Sequence, residues 1–448
     1  MNRLTAEQAE PPRVTAARLS SEGVVGVAIG WVDNAGIARV KGIPLRQLAA
    51  AVEQGVGMSP VFDTFLVDDS ATSGRHLGGP DGDLRLFPAL DRAVALAAQP
   101  GWAWAPADRY QQDGTPHPAC QRQFAARTTG LAADRHGLSF RAAYEVEWIV
   151  QREADGSYPT LGPAYGLHRL TDLSDYLRDL LKALEAEGLT VLQIHPEYAP
   201  GQFEVSVAAE DPVAAADSTV LVRHTVRAVS AAHGLRASFA PAFEAGGVGS
   251  GAHLHLSAWR DGRNLLTGGG GRHGLTKEGE AFLAGVLAEL PALLVLGAPS
   301  PASYLRLVPS RWAGAFQCWG PENREAALRL VPGLPGQPGT ANAEVKCFDG
   351  AANPYLAVGG VIAAGLAGID AGAELPPEVS GDPAALDGIP RLPTALPQSL
   401  AAFEASTVLR EALGDVLHDT VAAVRRAEAE LFADRTPEQT IAATRWRY

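Results

Sequence analysis

Two glutamates, Glu145 and Glu147, stand two residues apart in Ala143–Val150, which reads AYEVEWIV. The β-branched and aromatic neighbours mark a strand, on which residues i and i+2 share a face. Two carboxylates on one half-buried face repel each other, so something cationic must stand beside them, either basic side chains or bound metal. Three later stretches carry groups of the same kind: HPEYAPGQFEVS (His195–Ser206), GAHLHLS (Gly251–Ser257) and AEVKCFD (Ala343–Asp349). Each alternates like a strand and sets carboxylates or imidazoles on one face. Glu145, Glu147, Glu197, Glu204, Glu344, His253 and His255 together offer mainly oxygen donors. Such a set suits two hard divalent cations such as Mg²⁺ or Mn²⁺.

The elements that must hold these strands fall into an α+β arrangement of two units. Residues 1–20 read as a mobile tail. Val24–Trp31 and Ile37–Ile43 are strands joined by the turn Asp33-Asn34-Ala35-Gly36, and Pro44 opens a helix over Leu45–Gln54. With further strands at Leu84–Phe87 and Ala93–Ala97, this unit spans residues 21–115 and ends at the turn Asp113-Gly114-Thr115-Pro116. Residues 116–448 then alternate strands with helices at Cys120–His136, Leu173–Gly188, Pro212–His233, Leu275–Leu296 and Pro354–Ile369. The proline-rich, acidic stretch Glu374–Leu396 reads as a surface excursion, and Glu404–Phe432 as a closing helix pair.

A net charge of −13, with no basic stripe, argues against nucleic acid as a partner. Cys120, Cys318 and Cys347 are widely spaced and form neither a disulfide framework nor a metal pattern, which points to a reducing cytoplasm. The first twenty residues lack the apolar core of a signal peptide. The most apolar segments are Ala281–Ala298, broken by Glu289 and Pro291, and Tyr355–Ile369, which is short and rich in glycine and alanine; neither reads as a membrane span.

Seven motifs, in order and at the right spacing, resemble glutamine synthetases of the bacterial class I type: VDNAGIARVKGIP, YEVEW, PEYAPGQFEVS, SGAHLHLS, SYLRLVPS, ENREAALR and EVKCFDGAANPY. The resemblance implies an N-terminal β-grasp domain followed by a C-terminal catalytic α/β domain. It also implies rings of subunits, usually two stacked hexamers, with active sites between neighbours. The chemistry it implies uses ATP to make γ-glutamyl phosphate, which an amine then attacks. One metal would be held by Glu147, Glu197 and Glu204, and the second by Glu145, His253 and Glu344. His255 and Ser257 match positions that contact ATP. Arg324 and Arg329 are spaced to grip one polyphosphate through planar, bidentate guanidinium groups. Arg306 matches the contact to the α-carboxylate of glutamate, and Gly249 lies in the loop around its amino-acid head.

The departures from the family pattern gather at the pocket for the second substrate. Ammonium-using relatives carry a glutamate six residues after the Arg306 position; here it is Trp312. Val248 replaces a loop asparagine, Lys346 an arginine, and Leu66 a serine, while Asp63 keeps the position of the aspartate that activates ammonium. Two enzymatic readings follow. Either the site has drifted and still uses ammonium, or its amine pocket is rebuilt for an organic amine with apolar carbon. Relatives of the family make γ-glutamylamides from polyamines, ethanolamine, isopropylamine or aniline. Ethanolamine is the expected amine, because a polyamine needs carboxylates along its channel and the sequence next to Trp312 shows none. A non-catalytic relative is the third reading, opposed by the presence of all six matched metal ligands and both arginines.

Overall fold

The computed structural model describes residues 11–448. Two mixed sheets with their helices make an α+β fold. The first, six-stranded sheet comprises β1 (Gly26–Val32), β2 (Ala38–Pro44), β3 (Val56–Met58), β4 (Leu84–Pro88), β5 (Val94–Ala95) and β6 (Trp102–Gln111). Its order is β2-β1-β6-β4-β3, with β5 also on β6, and only β1 and β6 run parallel. Helices α1 (Pro12–Ser21) and α2 (Leu48–Gln54) pack with it around a core of Leu19, Val27, Ile29, Leu48 and Leu86. Here the expectation of a tail over residues 1–20 is corrected: Pro12 starts a helix, and Leu19, fully buried, anchors it. The first ten residues of that expectation lie outside the described residues.

The second, nine-stranded sheet carries the chemistry. Its strands are β7 (Ser139–Arg152), β8 (Val191–Pro196), β9 (Gln202–Val207), β10 (Leu235–Ser238), β11 (Ala252–Arg260), β12 (Arg263–Asn264), β13 (Phe316–Pro321), β14 (Ala326–Val331) and β15 (Asn342–Val345). The main order is β13-β14-β15-β11-β7-β9-β8. Alternation along β7 explains its two faces: Phe140, Ala142, Tyr144, Val146, Trp148 and Val150 all enter the main core. Arg141, Ala143, Glu145 and Glu147 therefore face the other way. A slip of one residue would reverse every one of these side chains.

The helices are α3 (Gln121–His136), α4 (Leu167–Asp172), α5 (Ser174–Ala186), α6 (Pro212–Ala232), α7 (Lys277–Gly297), α8 (Ser303–Arg306), α9 (Pro354–Ala371), α10 (Leu396–Ala405), α11 (Thr407–Leu431) and α12 (Pro437–Thr444). By length and composition α7 and α9 are apolar enough to cross a membrane, yet most of each is buried within the chain. They cross closely, because a Cβ on Gly285 would stand only 2.7 Å from Gly368 Cα. Their apolarity serves the core beneath the nine-stranded sheet.

Candidate active site

Strand register brings the chemical groups together. Glu145 of β7 stands opposite His253 of β11, and His255 opposite Glu344 of β15, which in turn faces Arg329 of β14. On the other side Glu147 faces Glu204 of β9, and Glu204 faces His195 of β8. Two clusters of candidate metal ligands result: Glu145, His255 and Glu344, and His195, Glu197 and Glu204, with ligand atoms within 4.8 Å in each.

In the first cluster, His253 Nδ1 lies 3.3 Å from Glu145 Oε2 and 3.1 Å from Glu344 Oε1. Glu344 is almost fully buried and also meets Lys346 Nζ and Arg329 Nη1, each at 3.0 Å. Burial alone would raise the Glu344 carboxyl, but His253 and Lys346 hold it well below the ordinary range. Burial likewise opposes ionisation of Glu145, and hydrogen bonds with His253 and His255 more than offset it. Burial pulls His255 down, yet Glu145 outweighs it and pushes the imidazole up to about 9. His255 Nε2, 3.2 Å from Glu145 Oε1, has no partner in hydrogen-bond geometry, while its Nδ1 is fixed by Asn342 at 2.8 Å. A divalent cation bound there would take the place of the ring proton, and a nitrogen set among carboxylates then suits it as a ligand.

In the second cluster, His195 Nε2 is 3.2 Å from Glu204 Oε1, and the hydrogen bond pushes the imidazole up to about 9. Glu197 is raised by burial and then by the nearby Glu204 charge. Tyr165 donates to Glu197 Oε2 at 2.8 Å. Gln202 holds Glu147 Oε2 at 3.0 Å and reaches the Gly249 carbonyl at 3.1 Å. With mainly oxygen donors and repelling carboxylates, both clusters fit the hard cations expected from the sequence.

A cavity of ≈ 570 Å³ opens beside these strands. Glu145, Glu147, Glu197, Glu204 and His253 line it together with Gly249, Arg306, Trp312, Lys346 and Arg324. Gly249 is needed for close approach, since a Cβ there would meet Pro241 O at 2.4 Å and Arg306 Cγ at 2.6 Å. Arg306 is buried, with Nη2 near His253 Nε2 at 2.9 Å and Nη1 lacking a partner. That unpaired guanidinium nitrogen suits a carboxylate ligand.

Other expected residues stand differently. Arg324 is exposed in the turn before β14, whereas Arg329 is engaged by Glu344 and Glu322. Ser257 is buried and its hydroxyl accepts from the Trp259 indole at 2.8 Å. Asp63 stands apart from this cavity. It is fully buried between Arg109, at 2.6 Å, and His117, at 2.9 Å, with Gln121 nearby. Its own chain covers it, and it is not among the residues that line the metal-lined cavity. Leu66 is also core.

The sequence reading missed His195, Tyr165 and Gln202. His195 and Gln202 lay inside a quoted motif; Tyr165 sits in a loop with φ of 56° and left no periodic signal. A second correction concerns carboxylates near Trp312. The folded chain sets Glu322, Glu325, Glu378 and Asp382 around one cavity with it.

Paired carboxylate–imidazole clusters, with arginines and a deep cavity beside them, define a site for metal-assisted phosphoryl transfer. The family described as "Glutamine synthetase, catalytic domain" matches residues 118–443. A gamma-glutamylpolyamine synthetase of Streptomyces coelicolor is 59% identical, covering 98% of this chain and 97% of its own. A gamma-glutamylethanolamide synthetase of the same species is 32% identical, over 83% of this chain and 80% of its own. A crystal structure described as a novel glutamine synthase homolog superposes with a TM-score of 0.86 at 32% identity, covering 100% of both chains. The chain belongs to the glutamine synthetase family. It is accordingly an ATP-dependent ligase of the glutamate–amine type.

Proposed function

We propose that this chain joins the γ-carboxyl of glutamate to one amino group of an organic polyamine, by way of γ-glutamyl phosphate. The observation that carries the reading is Trp312, a half-exposed indole in the wall of the metal-lined cavity. The indole stands where ammonium-using relatives carry a glutamate, and unlike a carboxylate it gives an alkyl chain apolar contact along its methylenes. The relative named for polyamines supports that class over ethanolamine, which the sequence alone favoured, being 59% identical against 32%.

In this reading Glu147, Glu197 and Glu204, with His195, hold one divalent cation, and Glu145, His253 and Glu344, with His255, hold the other. Bound there, the cations would neutralise the phosphates of ATP and the charge that develops during transfer. Arg306 and the Gly249 loop orient glutamate through its α-carboxylate. Arg324 meets the phosphates from the cavity rim, and Arg329 keeps Glu344 in position. Ser257 serves β11 more than the nucleotide, and Lys346 balances Glu344. The N-terminal sheet is assigned to the β-grasp type, with the catalytic domain beginning near residue 116. The family's rings of two stacked hexamers, in the cytoplasm, remain the assembly and compartment assigned.

The test is initial-rate phosphate release with glutamate, ATP and Mg²⁺ against ammonium, ethanolamine, butylamine, 1,4-diaminobutane and spermidine. The diamine and triamine are expected to give the highest kcat/KM. Ammonium equalling or exceeding every organic amine would return the chain to glutamine synthesis.

A further inference from the structure

Behind Trp312 lies a second cavity of ≈ 520 Å³, which the proposed reaction does not use. It meets the metal-lined cavity at Ser310, Trp312 and Arg324, which border both. Its walls come from two segments distant in sequence: the turn at 321–325 and the acidic excursion at 378–382. The Asn323 side-chain amide donates to the Val379 and Gly381 carbonyls at 2.8 and 3.0 Å, so the two walls are tied to each other. Glu322, Glu325, Glu378 and Asp382 line this space with Arg324; Glu322 is already paired with Arg329 and Glu378 with His273, which leaves Glu325 and Asp382 as the acids open to a ligand.

One of these acids is built in an unusual way. Glu325 is 7 % exposed; its Oε1 accepts from the Trp312 backbone N–H at 2.7 Å, and its Oε2 has no hydrogen-bond partner. A buried carboxylate oxygen left unpaired is costly unless a donor arrives. Burial, followed by repulsion from Asp382, holds the Glu325 carboxyl above its ordinary range. Both effects are relieved by a cation placed between the two. Asp382 in turn accepts from Ser310 Oγ at 3.3 Å, so both carboxylates grip the segment that carries Trp312.

We infer that this cavity is the subsite for the distal ammonium group of a polyamine whose other end reacts in the metal-lined cavity. The inference rests on the organic-polyamine reading above. An α,ω-diamine brings two groups with opposite needs. The reacting nitrogen must lose its proton before attack, whereas the far nitrogen, with a pKa of roughly 10, stays cationic at neutral pH. The far end needs hydrogen-bond acceptors that carry negative charge, and the methylenes between need an apolar wall. Glu325 and Asp382 supply the first, and the exposed Trp312 ring at the junction supplies the second.

The experiment compares 1,4-diaminobutane with butylamine, which has the same carbon chain and no second charge. Steady-state kcat and KM are measured for the wild type, Glu325→Gln, whose amide oxygen can still accept from the Trp312 N–H, Asp382→Asn and the double variant. Asparagine at 382 can still cap the short turn that follows, whose Ala384 N–H now bonds Asp382 Oδ1 at 2.9 Å. The expected result is a loss of about 10- to 100-fold in kcat/KM for the diamine, carried by KM, as for a lost hydrogen bond to a charged group. Butylamine turnover should stay within about twofold, which also reports that each variant is folded. Equal losses for the two amines, no loss for either, or a changed Mg²⁺ requirement in place of the diamine-specific loss would overturn the subsite. A wild type that uses butylamine and diamine alike would overturn it while leaving organic-amine ligation intact. A wild type that uses only ammonium would overturn the polyamine reading and the subsite together.

Discussion

Asp63 and Glu344 are both buried acids paired with basic groups, yet their surroundings give them different work. Asp63 has Arg109 and His117 on its two oxygens, deep beneath the surface. Burial would raise its pKa, but Arg109 and His117 outweigh burial and lower it below 3.8. A carboxyl depressed in the folded state contributes stability that is present above its unfolded pKa and is lost as pH falls through the folded value. The wild type should therefore lose stability as the pH drops below about 4, and Asp63→Asn should lack that part of the decline. At neutral pH the variant should be less stable by about 3–5 kcal/mol, the usual cost of breaking a buried pair, with turnover per folded molecule retained. Denaturant titrations at several pH values, alongside activity, check this; loss of turnover without loss of stability would restore a catalytic role. Glu344 instead borders the metal-ligand cluster. Glu344→Gln keeps the shape and removes the charge, and is expected to weaken Mg²⁺ or Mn²⁺ activation by at least about 10- to 100-fold. Titration of activity with metal reads that shift.

At the scale of elements, strand β7 was the legible part. Its alternation named the buried face and put Glu145 and Glu147 together on the other, whereas the register of β7 with β11 and of β11 with β15 is fixed by the pairing itself, because a slip of two residues would keep every face. Strand β8 was less legible, because its register with β9 shifts between Val191 and Gln193. Across such an irregularity, alternation cannot say which face His195 takes. The burial of Asp63 was not legible, because a motif match carries no information about burial; it sits in a short 3-10 turn, Pro60–Thr64. The stretch 374–396 read as surface by composition, yet Val379 is buried and bonds Trp319 O through its N–H at 2.9 Å. Long-range contacts of that kind leave no local pattern. The Trp312 segment was legible as a departure but not as geometry: Ser310 and Trp312 both hold positive φ, at 56° and 54°. Such a backbone costs a non-glycine residue about 1–2 kcal/mol. Trp312→Gly should therefore leave stability unchanged or slightly raised, while kcat/KM for butylamine and 1,4-diaminobutane falls about tenfold for want of the apolar wall. Thermal unfolding and amine kinetics on the same preparation separate the two effects; unchanged kinetics would remove Trp312 from the amine path.

Over the whole molecule, the two sheets are joined by buried polar contacts that fix the N-terminal unit against the larger one. Asn353 donates to the Val32 and Asp33 carbonyls at 3.1 and 3.2 Å, and Arg425 bonds the Asn34 carbonyl. Each contact ties a backbone oxygen of the N-terminal unit to a side chain of the larger one. The nine-stranded sheet holds both metal-ligand clusters on one face, with α7 and α9 in the core behind it. The central claim is that this frame serves ligation of glutamate to a polyamine, and one competition tests it most directly. Purified protein is given limiting glutamate, ATP and Mg²⁺ with equal concentrations of ammonium and 1,4-diaminobutane, and the products are identified by mass spectrometry. Mono-γ-glutamyl-diaminobutane is expected as the main product, formed with one ADP and one phosphate per amide bond. Glutamine as the main product from that mixture would contradict it.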